Sequence, residues 1–218
     1  MKSKLTPKLA EIVGIMIGDG GLYFAPDKKY QLTIAFHKDE KDYLIYVKKL
    51  VEEYFKYRFC VSELKNEFLV RNNSVFVGKK LIEVGLKPGN KVRMGVVIPE
   101  WIQEDPFLLK QCVRGIFDTD GCIYRKYAHY AQIQFKFGSQ KTTKSVREAL
   151  LRLNFNPTYL SKDWSKGHWA WKVYLSRQGE IHKFFDKIKP MNQKHVIRYK
   201  RMGAPRFERG SAGISRSK

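Results

Sequence analysis

The chain has little that would hold it in a membrane. Among its 218 residues, no stretch approaches the ~20 consecutive apolar residues that a helix needs to cross a bilayer. The N-terminus is basic, but Pro7, Lys8 and Glu11 interrupt the apolar stretch that follows, which argues against a secretory signal. The sequence therefore predicts a protein with no membrane partner.

Residues that bind transition metals are also scarce. The three cysteines, Cys60, Cys112 and Cys122, are odd in number and have no CxxC spacing. This usage indicates free thiols in a reducing compartment and gives no zinc site. The five histidines show no paired HxH or HNH-like spacing, and we interpret all of them as surface or phosphate-contacting residues: His37, His129, His168, His182 and His195.

Acidic residues are few compared with basic ones. The chain has 42 Lys and Arg against 21 Asp and Glu, a formal net charge of +21, and a pI near 9.9. An excess of this size attracts polyanions through release of counterions, and nucleic acid is the first candidate. A basic protein whose charges are merely solvated is the alternative. With a hydrophobic fraction of 43% the chain is expected to fold. We also predict that the protein is cytoplasmic and associated with the nucleoid.

Two segments of the chain resemble each other closely. Residues 12–20 read IVGIMIGDG and residues 113–121 read VRGIFDTDG, and each is an apolar helical run that ends in Asp-Gly. Asp19 and Asp120 lie 101 residues apart (120 − 19), close to half the chain. An aspartate in the last turn of a helix faces the negative end of the helix dipole, which costs stability. Because the same unfavourable placement occurs twice, it indicates that Asp19 and Asp120 are there to bind a cation.

The hydrophobic pattern predicts the same order of elements in both halves. The first half should contain helices over residues 7–18 or 7–19, with Thr6 as N-cap, 39–55 and 77–84, strands over 22–24, 30–37, 58–65 and 67–71, and a connector over 85–95. The second half should contain helices over 106–119, 142–153 and 180–188 and strands over 122–125, 130–137, 158–164 and 169–177. Each half is then αββαββα, which predicts an α+β fold with two four-stranded antiparallel sheets and helices on one face. We place the halves at 1–98 and 99–202, and a basic mobile tail at 203–218.

The paired segments resemble the LAGLIDADG motif of homing endonucleases. The first copy departs at its sixth place, where Ile17 stands instead of aspartate, whereas the second keeps Asp118 there. Both copies keep the Asp-Gly ending. Two copies that each open an equivalent unit, together covering about 200 residues, make the resemblance specific.

The resemblance implies a monomeric pseudo-dimer in which the two motif helices pack side by side and two saddle-like sheets cover the DNA major groove. Gly14 with Gly18, and Gly115 with Thr119, would permit close approach of the helix backbones. Two ordinary buried helices with glycine C-caps are the alternative, which leaves the paired aspartates unexplained.

The implied activity is a site-specific double-strand break in DNA, at a long target such as an intron insertion site. Asp19 and Asp120 would be catalytic and would bind two or three shared Mg²⁺ ions, together with carbonyl oxygens of Gly18 and Thr119. The metals would activate water for in-line attack, and each aspartate would serve one strand.

A lysine or glutamine near the attacking water is a further feature of the family. Lys38, after the first hairpin, matches that position, with His37 beside it. The match fails in the second half, where residues 138–140 read Gly-Ser-Gln. Lys136 or Gln140 could take the role there.

The exposed faces of the two predicted sheets carry side chains that bind base edges and phosphates. An antiparallel sheet often leaves one face in water without any partner, which is the alternative. Trp164, Trp169 and Trp171 are expected in the core rather than stacked on sugars. We predict DNA contacts for a set in the sheets and their turns: Lys28, Lys29, Gln31, Thr33, His37, Arg71, Arg125, Lys126, Tyr130, Gln132, Gln134, Lys136, Lys172 and Tyr174.

Two other functions fit the same pattern. Some members of the family are RNA maturases that help an intron to splice, and such a protein would bind intron RNA on a basic surface without needing both aspartates. A catalytically inactive DNA-binding protein is the second alternative. The presence of both aspartates favours cleavage.

Overall fold

The computed structural model describes residues 5–24, 30–127, 130–165 and 167–202, and two helices lie at its centre. Helix α1 spans Pro7–Ile17 and helix α6 spans Pro106–Asp120. Both begin at a proline that follows a capping residue: Thr6 accepts a hydrogen bond from a backbone N–H of the first turn, and Asp105 accepts two. The predicted N-cap at Thr6 is therefore confirmed.

The elements that surround these helices repeat in the two halves. In chain order they are β1 (Gly20–Phe24), β2 (Tyr30–His37), a 3₁₀ turn (Lys38–Glu40), α2 (Lys41–Phe55), β3 (Cys60–Glu63), β4 (Glu67–Asn72), α3 (Val75–Glu83), α4 (Lys91–Met94), α5 (Glu100–Gln103), then, after α6, β5 (Gly121–Tyr127), β6 (Tyr130–Phe137), α7 (Gln140–Arg152), β7 (Ser161–Ser165), β8 (His168–Leu175), α8 (Gln178–Ile188) and α9 (Gln193–Arg201). The strands form two four-stranded sheets of the same topology, β1-β2-β4-β3 and β5-β6-β8-β7, with antiparallel pairing throughout. The predicted α+β fold of two duplicated units is confirmed.

The alternation of side chains along the strands fixes which face of each sheet lies against the helices. In β2 the side chains of Leu32, Ile34 and Phe36 are buried, and in β6 those of Ile133 and Phe135 are. The intervening side chains lie on the opposite face, as the period of two requires. Both sheets therefore cover the hydrophobic core with one face and leave the other free of helices.

Helices α1 and α6 touch through their glycines. A Cβ atom on Gly14 would overlap the carbonyl group of Cys112, and one on Gly115 would overlap the carbonyl oxygen of Glu11 and lie 2.8 Å from the nitrogen of Ile15. Backbone therefore packs directly on backbone at the centre of the molecule. This contact confirms the predicted side-by-side packing of the two motif helices.

Buried polar side chains fix the rotation of the two halves about this contact. Glu11 on α1 is 2% exposed, and its carboxylate accepts hydrogen bonds from the guanidinium of Arg114 on α6 and from Tyr46 Oη. Breaking such a buried pair by removing one partner is strongly destabilising, because it leaves an uncompensated charge. The pair therefore specifies one arrangement of α1 against α6.

A second set of polar contacts holds the segment between α8 and α9 against α6. Asp118, at the sixth place of the second copy, is fully buried and accepts hydrogen bonds from the backbone nitrogens of Met191 (2.9 Å) and Asn192 (3.2 Å). The Asn192 side chain returns a hydrogen bond to the Asp118 carbonyl oxygen (2.9 Å). Burial raises the pKa of Asp118 to about 7 despite these bonds.

Three short or polar helices are absent from the sequence prediction. Helices α4 and α5 have four residues each, too few to show a period, and α4 lies within the predicted connector. Helix α9 has the strongly polar sequence QKHVIRYKR and buries only His195. Helix α1 also ends at Ile17, so that Asp19 lies just beyond the helix rather than in its last turn.

Two interpretations of individual side chains are wrong. His195 is fully buried, with its ring 4.4 Å from that of Phe117, and is not a surface residue. Burial lowers its pKa to about 3. Trp164 and Trp169 are 58% and 49% exposed and pack edge to face on each other, so the expectation that both lie in the core fails.

Some expectations concern residues outside the described ranges. They are the turn at 26–29, which contains Lys28 and Lys29, the residue His129, and the tail at 203–218. The boundary between the halves at residue 98 stays a prediction. Within the described ranges, no helix has the length and apolar character required to cross a membrane.

The contact between α1 and α6 leads to a first prediction. Replacing Gly115 by Ala should lower the free energy of unfolding by about 1–3 kcal/mol, because the added methyl group has no space against the Glu11 carbonyl. Urea denaturation followed by circular dichroism measures the change.

The matched control is Gly179→Ala in α8, where an added Cβ meets no atom within 4 Å. This change should stabilise the protein by about 0.4–1 kcal/mol, since alanine reduces the entropy of the unfolded chain. Equal effects of the two substitutions would contradict a backbone contact at Gly115.

Candidate active site and nucleic-acid interface

The two motif aspartates lie where α1 and α6 end together. Asp19 follows Gly18, the C-cap of α1, and Asp120 is the last residue of α6. The ends are in contact: a Cβ atom on Gly18 would lie 2.7 Å from the Cβ of Thr119 and 3.5 Å from Asp120 Oδ2. Thr119 donates its hydroxyl hydrogen to the Gly115 carbonyl oxygen (2.9 Å), which directs the side chain back along the helix. The structure thus places Asp120 directly beside the residue that precedes Asp19.

The carboxyl groups are held in an environment that disfavours their charge. Burial, together with the negative charge of Asp19, raises the pKa of Asp120 to about 7, although Lys91 and Lys194 act in the opposite direction. The pKa of Asp19 is also raised, chiefly by burial, with Glu40 adding to the effect and Lys194 opposing it. Carboxyl groups whose pKa is raised by burial and by nearby negative charge gain stability from any cation that reaches them.

One cation is already present at the end of α1. The Lys91 ammonium donates hydrogen bonds to the carbonyl oxygens of Met16 (3.4 Å), Ile17 (3.2 Å) and Gly18. Burial lowers the pKa of Lys91, while Asp120 and Asp19 oppose that change. These carbonyl groups have no helical partners and carry the negative end of the helix dipole, so they attract positive charge.

A second lysine reaches the site from the other half. Lys194 on α9 lowers the pKa of both Asp19 and Asp120 through its charge, and its ammonium lies 2.7 Å from Glu40 Oε1. Lys91 and Lys194 lie near the starts of α4 and α9, which are capped by Asn90 and Asn192 respectively.

The sequence prediction missed these two lysines, although a signal was present. Residues 87–90 read Lys-Pro-Gly-Asn and residues 189–192 read Lys-Pro-Met-Asn, 102 positions apart (189 − 87). This spacing nearly equals that of the aspartates. A second duplicated motif therefore marks the turns that bring the lysines to the helix ends.

Glu40 is a further acidic side chain of the site. It accepts hydrogen bonds from the Asn192 side chain (2.7 Å) and the backbone nitrogen of His37 (3.1 Å) and pairs with Lys194. Hydrogen bonds from Lys194 and Asn192 more than offset its burial and lower its pKa. Glu40 therefore stays charged beside Asp19 and links the first half to α9.

The structure places Lys38 and His37 differently from what was expected. The Lys38 ammonium pairs with Glu63 on β3 (2.7 Å) and lies 5.9 Å from the centre of the Phe68 ring. The His37 ring accepts a hydrogen bond from the Asp39 backbone and caps the 3₁₀ turn. Lys38 is thus oriented by an ion pair, and its role in water activation stays a prediction.

Of the two candidates in the second half, Lys136 is the one that lies near an aspartate. A cleft between the halves is lined by Gly18, Lys91, Asp120 and Lys136. Gln140 is the first residue of α7 and is exposed. The cleft is open to solvent, so a substrate could reach Asp120 and Lys136 through it.

Most of the predicted DNA-contacting side chains lie on the two sheet faces that carry no helices. Gln31, Thr33 and Arg71 share this face in the first sheet, where Thr33 pairs with Arg71 across β2 and β4. The second sheet contributes a larger set, Tyr130, Gln132, Gln134, Lys136, Lys172 and Tyr174. Lys126 is exposed near the end of β5, whereas Arg125 pairs with Ala131 and shares its side of the sheet, away from that face.

Hydrogen bonds orient the polar side chains of the second sheet. Gln132 is 4% exposed, accepts a hydrogen bond from Tyr124 Oη (2.7 Å) and donates to Ser176 Oγ (2.6 Å). Gln134 donates to Tyr174 Oη (3.1 Å). A base contact by Gln132 stays a prediction, and it requires that one of these bonds be exchanged.

The chemistry of the donor set restricts which metals fit. Among the described residues, no group of three or more His, Cys, Asp or Glu side chains could hold a metal ion by itself. Asp19, Asp120 and the carbonyl oxygens at the helix ends offer only oxygen donors. Mg²⁺ suits such a set, since it commonly binds through one or two carboxylates, waters and substrate phosphates.

Comparisons with known proteins agree with this architecture. The sequence profile of the LAGLIDADG-like domain matches residues 109–189, and no curated protein matches the chain. The solved complex of I-DmoI with DNA and Mn has a TM-score of 0.62 and 18% identity, over 84% of this chain and 96% of that chain. I-AabMI bound to uncleaved DNA gives 0.54 and 15%, over 88% and 87%. I-WcaI bound to its DNA recognition sequence gives 0.58 and 14%, over 90% and 88%.

These two matches cover 84% and 90% of the chain, so each extends over more than one half of it. The family profile independently covers most of α6, the second sheet, α7 and α8. The chain therefore contains a LAGLIDADG-like domain over residues 109–189 and has the fold of these homing endonucleases.

Proposed function

We propose that this protein is a site-specific DNA endonuclease that makes a double-strand break by divalent-metal-dependent hydrolysis. The observation that carries the proposal is the meeting of Asp19 and Asp120 at the ends of α1 and α6, where burial makes their charges unfavourable without a cation. A protein that only bound DNA would have no need for this costly pair.

The metal ligands in this proposal are Asp19, Asp120 and the carbonyl oxygens of Gly18 and Thr119. The hydrogen bond from the Lys91 ammonium to the Gly18 carbonyl oxygen supports the assignment, because that oxygen lies where positive charge is favourable. I-DmoI has been solved in complex with DNA and Mn, with DNA and Ca, and as a variant in the presence of Mg. We infer two or three Mg²⁺ ions, which would activate water and stabilise the leaving oxygen.

The side chains around the aspartates supply charge and orientation. Lys91 and Lys194, one from each half, can donate to the oxygens of a phosphate that enters the cleft. Glu40 holds Lys194 in place through their 2.7 Å ion pair. In the second half, Lys136 can take the role near the attacking water that Lys38 has in the first, because it lines the cleft beside Asp120. Each aspartate serves one strand of the duplex.

The substrate in this proposal is double-stranded DNA bound across the two open sheet faces. The net charge of +21 supplies affinity for phosphates, and the polar side chains of the second sheet can read base edges. We further propose that the protein acts as a monomer in the cell interior, associated with the nucleoid, and that its target is an intron insertion site. Binding of intron RNA remains the alternative function, and a splicing assay separates it from cleavage.

The proposal predicts that cleavage depends on both aspartates. Asp19→Asn and Asp120→Asn should each reduce plasmid linearisation on the order of 100-fold or more, because each removes a charged ligand of the metal site. Both variants should keep their affinity for the target in an electrophoretic mobility assay. Asp186→Asn, on the exposed side of α8, is the control and should cut as the parent does.

A stability measurement shows whether Asp120 serves a cation rather than the fold. The pKa of Asp120 is about 7 in the folded protein and near 3.8 when unfolded, so folding holds a proton that the unfolded chain releases. Its ionisation therefore costs stability as the pH rises from about 4 to 7. Without metal, Asp120→Asn should be more stable than the parent by about 1–3 kcal/mol above pH 7 and equal to it near pH 4. A loss of stability at pH 8 would count against the assignment.

Divalent-ion binding should depend on pH for the same reason. A metal ion competes with the proton on Asp120, so Mg²⁺ affinity should rise about tenfold per pH unit below 7 and level off above about 8. The shift of the melting temperature on addition of Mg²⁺, measured from pH 6 to 8.5, reports this affinity without an activity assay. Asp120→Asn should abolish the pH dependence. An equal Mg²⁺ response of the parent at pH 6 and pH 8 would refute the competition between Mg²⁺ and the proton on Asp120.

A further inference from the structure

An acidic side chain interrupts the polar face of the second sheet. Asp163 on β7 pairs with Ala170 on β8 and lies on the same face as Lys136, Lys172 and the glutamines. Among the described strand residues of this face, it is the one carboxylate. The face otherwise carries groups that suit a polyanion, so a negative charge there needs an explanation.

Asp163 is fixed by two lysines. Lys136 and Lys172 are directly opposite each other on β6 and β8, and both approach the same oxygen of Asp163, at 3.5 and 2.5 Å. Like charges directly opposite on a sheet repel each other, and Asp163 removes this conflict. The three side chains form an ordered cluster, which we call the Lys-Asp-Lys cluster.

The charges of the cluster are those needed for hydrogen bonding to a base pair. The hydrogen bond from Lys172 holds the pKa of Asp163 below its usual range, and the same bond raises the pKa of Lys172. Asp163 is thus a permanent acceptor between two donors. The side chains of Asp163 and Lys136 are 38% and 36% exposed, so both can also reach a ligand.

The position of the cluster relates it to the site of cleavage. Lys136 lines the same cleft as Asp120 and Gly18, at the end of β6 nearest to α6. A base pair that contacts the cluster would therefore lie close to the scissile phosphates rather than at the outer end of the target. The corresponding strand of the first sheet, β3, presents Cys60 and Ser62 on this face, which are uncharged. The two half-sites are therefore read by different chemistry.

We infer that the Lys-Asp-Lys cluster determines specificity by reading one G·C pair near the cleavage site. Asp163 accepts a hydrogen bond from the amino group of cytosine, and Lys136 or Lys172 donates to O6 or N7 of guanine, the groups that a G·C pair presents in the major groove. Because a carboxylate near phosphates lowers affinity for DNA of any sequence, its presence is explained by discrimination between bases and not by affinity. This inference rests on the proposed function.

The test is a selection of cleaved sites from a randomised DNA library with Mg²⁺, run on the parent and on Asp163→Asn. Asn keeps the shape of the side chain but adds an amino donor and removes the charge. We expect the preference for a G·C pair at one position to fall about tenfold or more. Affinity for random DNA should increase, with a salt dependence steeper by about one phosphate, since both lysines become free to bind phosphates.

Glu148→Gln on α7 is the matched control. It makes the same change in net charge on the helix side of the same sheet, where Glu148 pairs with Lys144 at 4.0 Å, and should leave every base preference unchanged. Lys172→Met is the second variant of the cluster, and it should change the preference at the same position as Asp163→Asn. Melting temperatures establish that the variants are folded.

The outcomes separate the two proposals. If the parent cleaves no member of the library, the proposed function fails. If the parent selects a site and Asp163→Asn keeps the same preference at every position, the cluster serves only to neutralise the two lysines and this inference is overturned. A change at different positions for Asp163→Asn and Lys172→Met would also overturn it, because one base pair could not then contact both side chains.

Discussion

The direct contact of helix α1 with helix α6 is the constraint on which the rest of the structure depends. Gly14 and Gly115 allow backbone to touch backbone, and any larger side chain would hold the helices apart. The same closeness brings the two helix ends together, so that Asp120 lies beside Gly18. Because each sheet is attached to one of these helices, the contact also sets the relation between the two sheet faces. Packing at the centre and chemistry at the helix ends are therefore one feature of the molecule.

Positioning the aspartates there has an electrostatic cost that the fold offsets only in part. Burial raises the pKa of both carboxyl groups, with added repulsion from Glu40 at Asp19 and from Asp19 at Asp120, and the lysines at positions 91 and 194 reduce this effect without removing it. The lysines come from turns that follow the third helix of each half, so each half contributes an acid and a base to the centre. The buried carboxylates make the protein less stable when no cation is bound, but they provide a site that binds one. Such a balance is expected where a group has a role beyond folding.

Much of the fold could be predicted because both halves repeat strong local patterns. The alternation in the strands and the apolar runs of the helices predicted the αββαββα order of each half. Helices α4 and α5 were missed because they are too short to show a period, and α9 because its sequence is almost uniformly polar. Side chains near the boundary of the core were harder to place. Trp164 looks like a core residue in sequence, yet it is exposed and packs on Trp169, whereas His195 looks like a surface residue and packs on Phe117. The period of a sequence pattern shows which residues of one helix or strand share a face, but it does not show whether another element covers that face.

The candidate site shows the same division. Residue identity and spacing along the chain are enough to indicate the duplicated unit, the paired aspartates and the excess of positive charge. The contacts of individual side chains come from the fold: Lys91, Lys194 and Glu40 surround the aspartates, Lys38 pairs with Glu63, and Asp163 joins two lysines. Ionic and hydrogen-bonding partners distant in sequence are selected by how the sheets and helices pack. The duplicated Lys-Pro-x-Asn turns mark where two of these lysines lie, but no local pattern records which groups they contact.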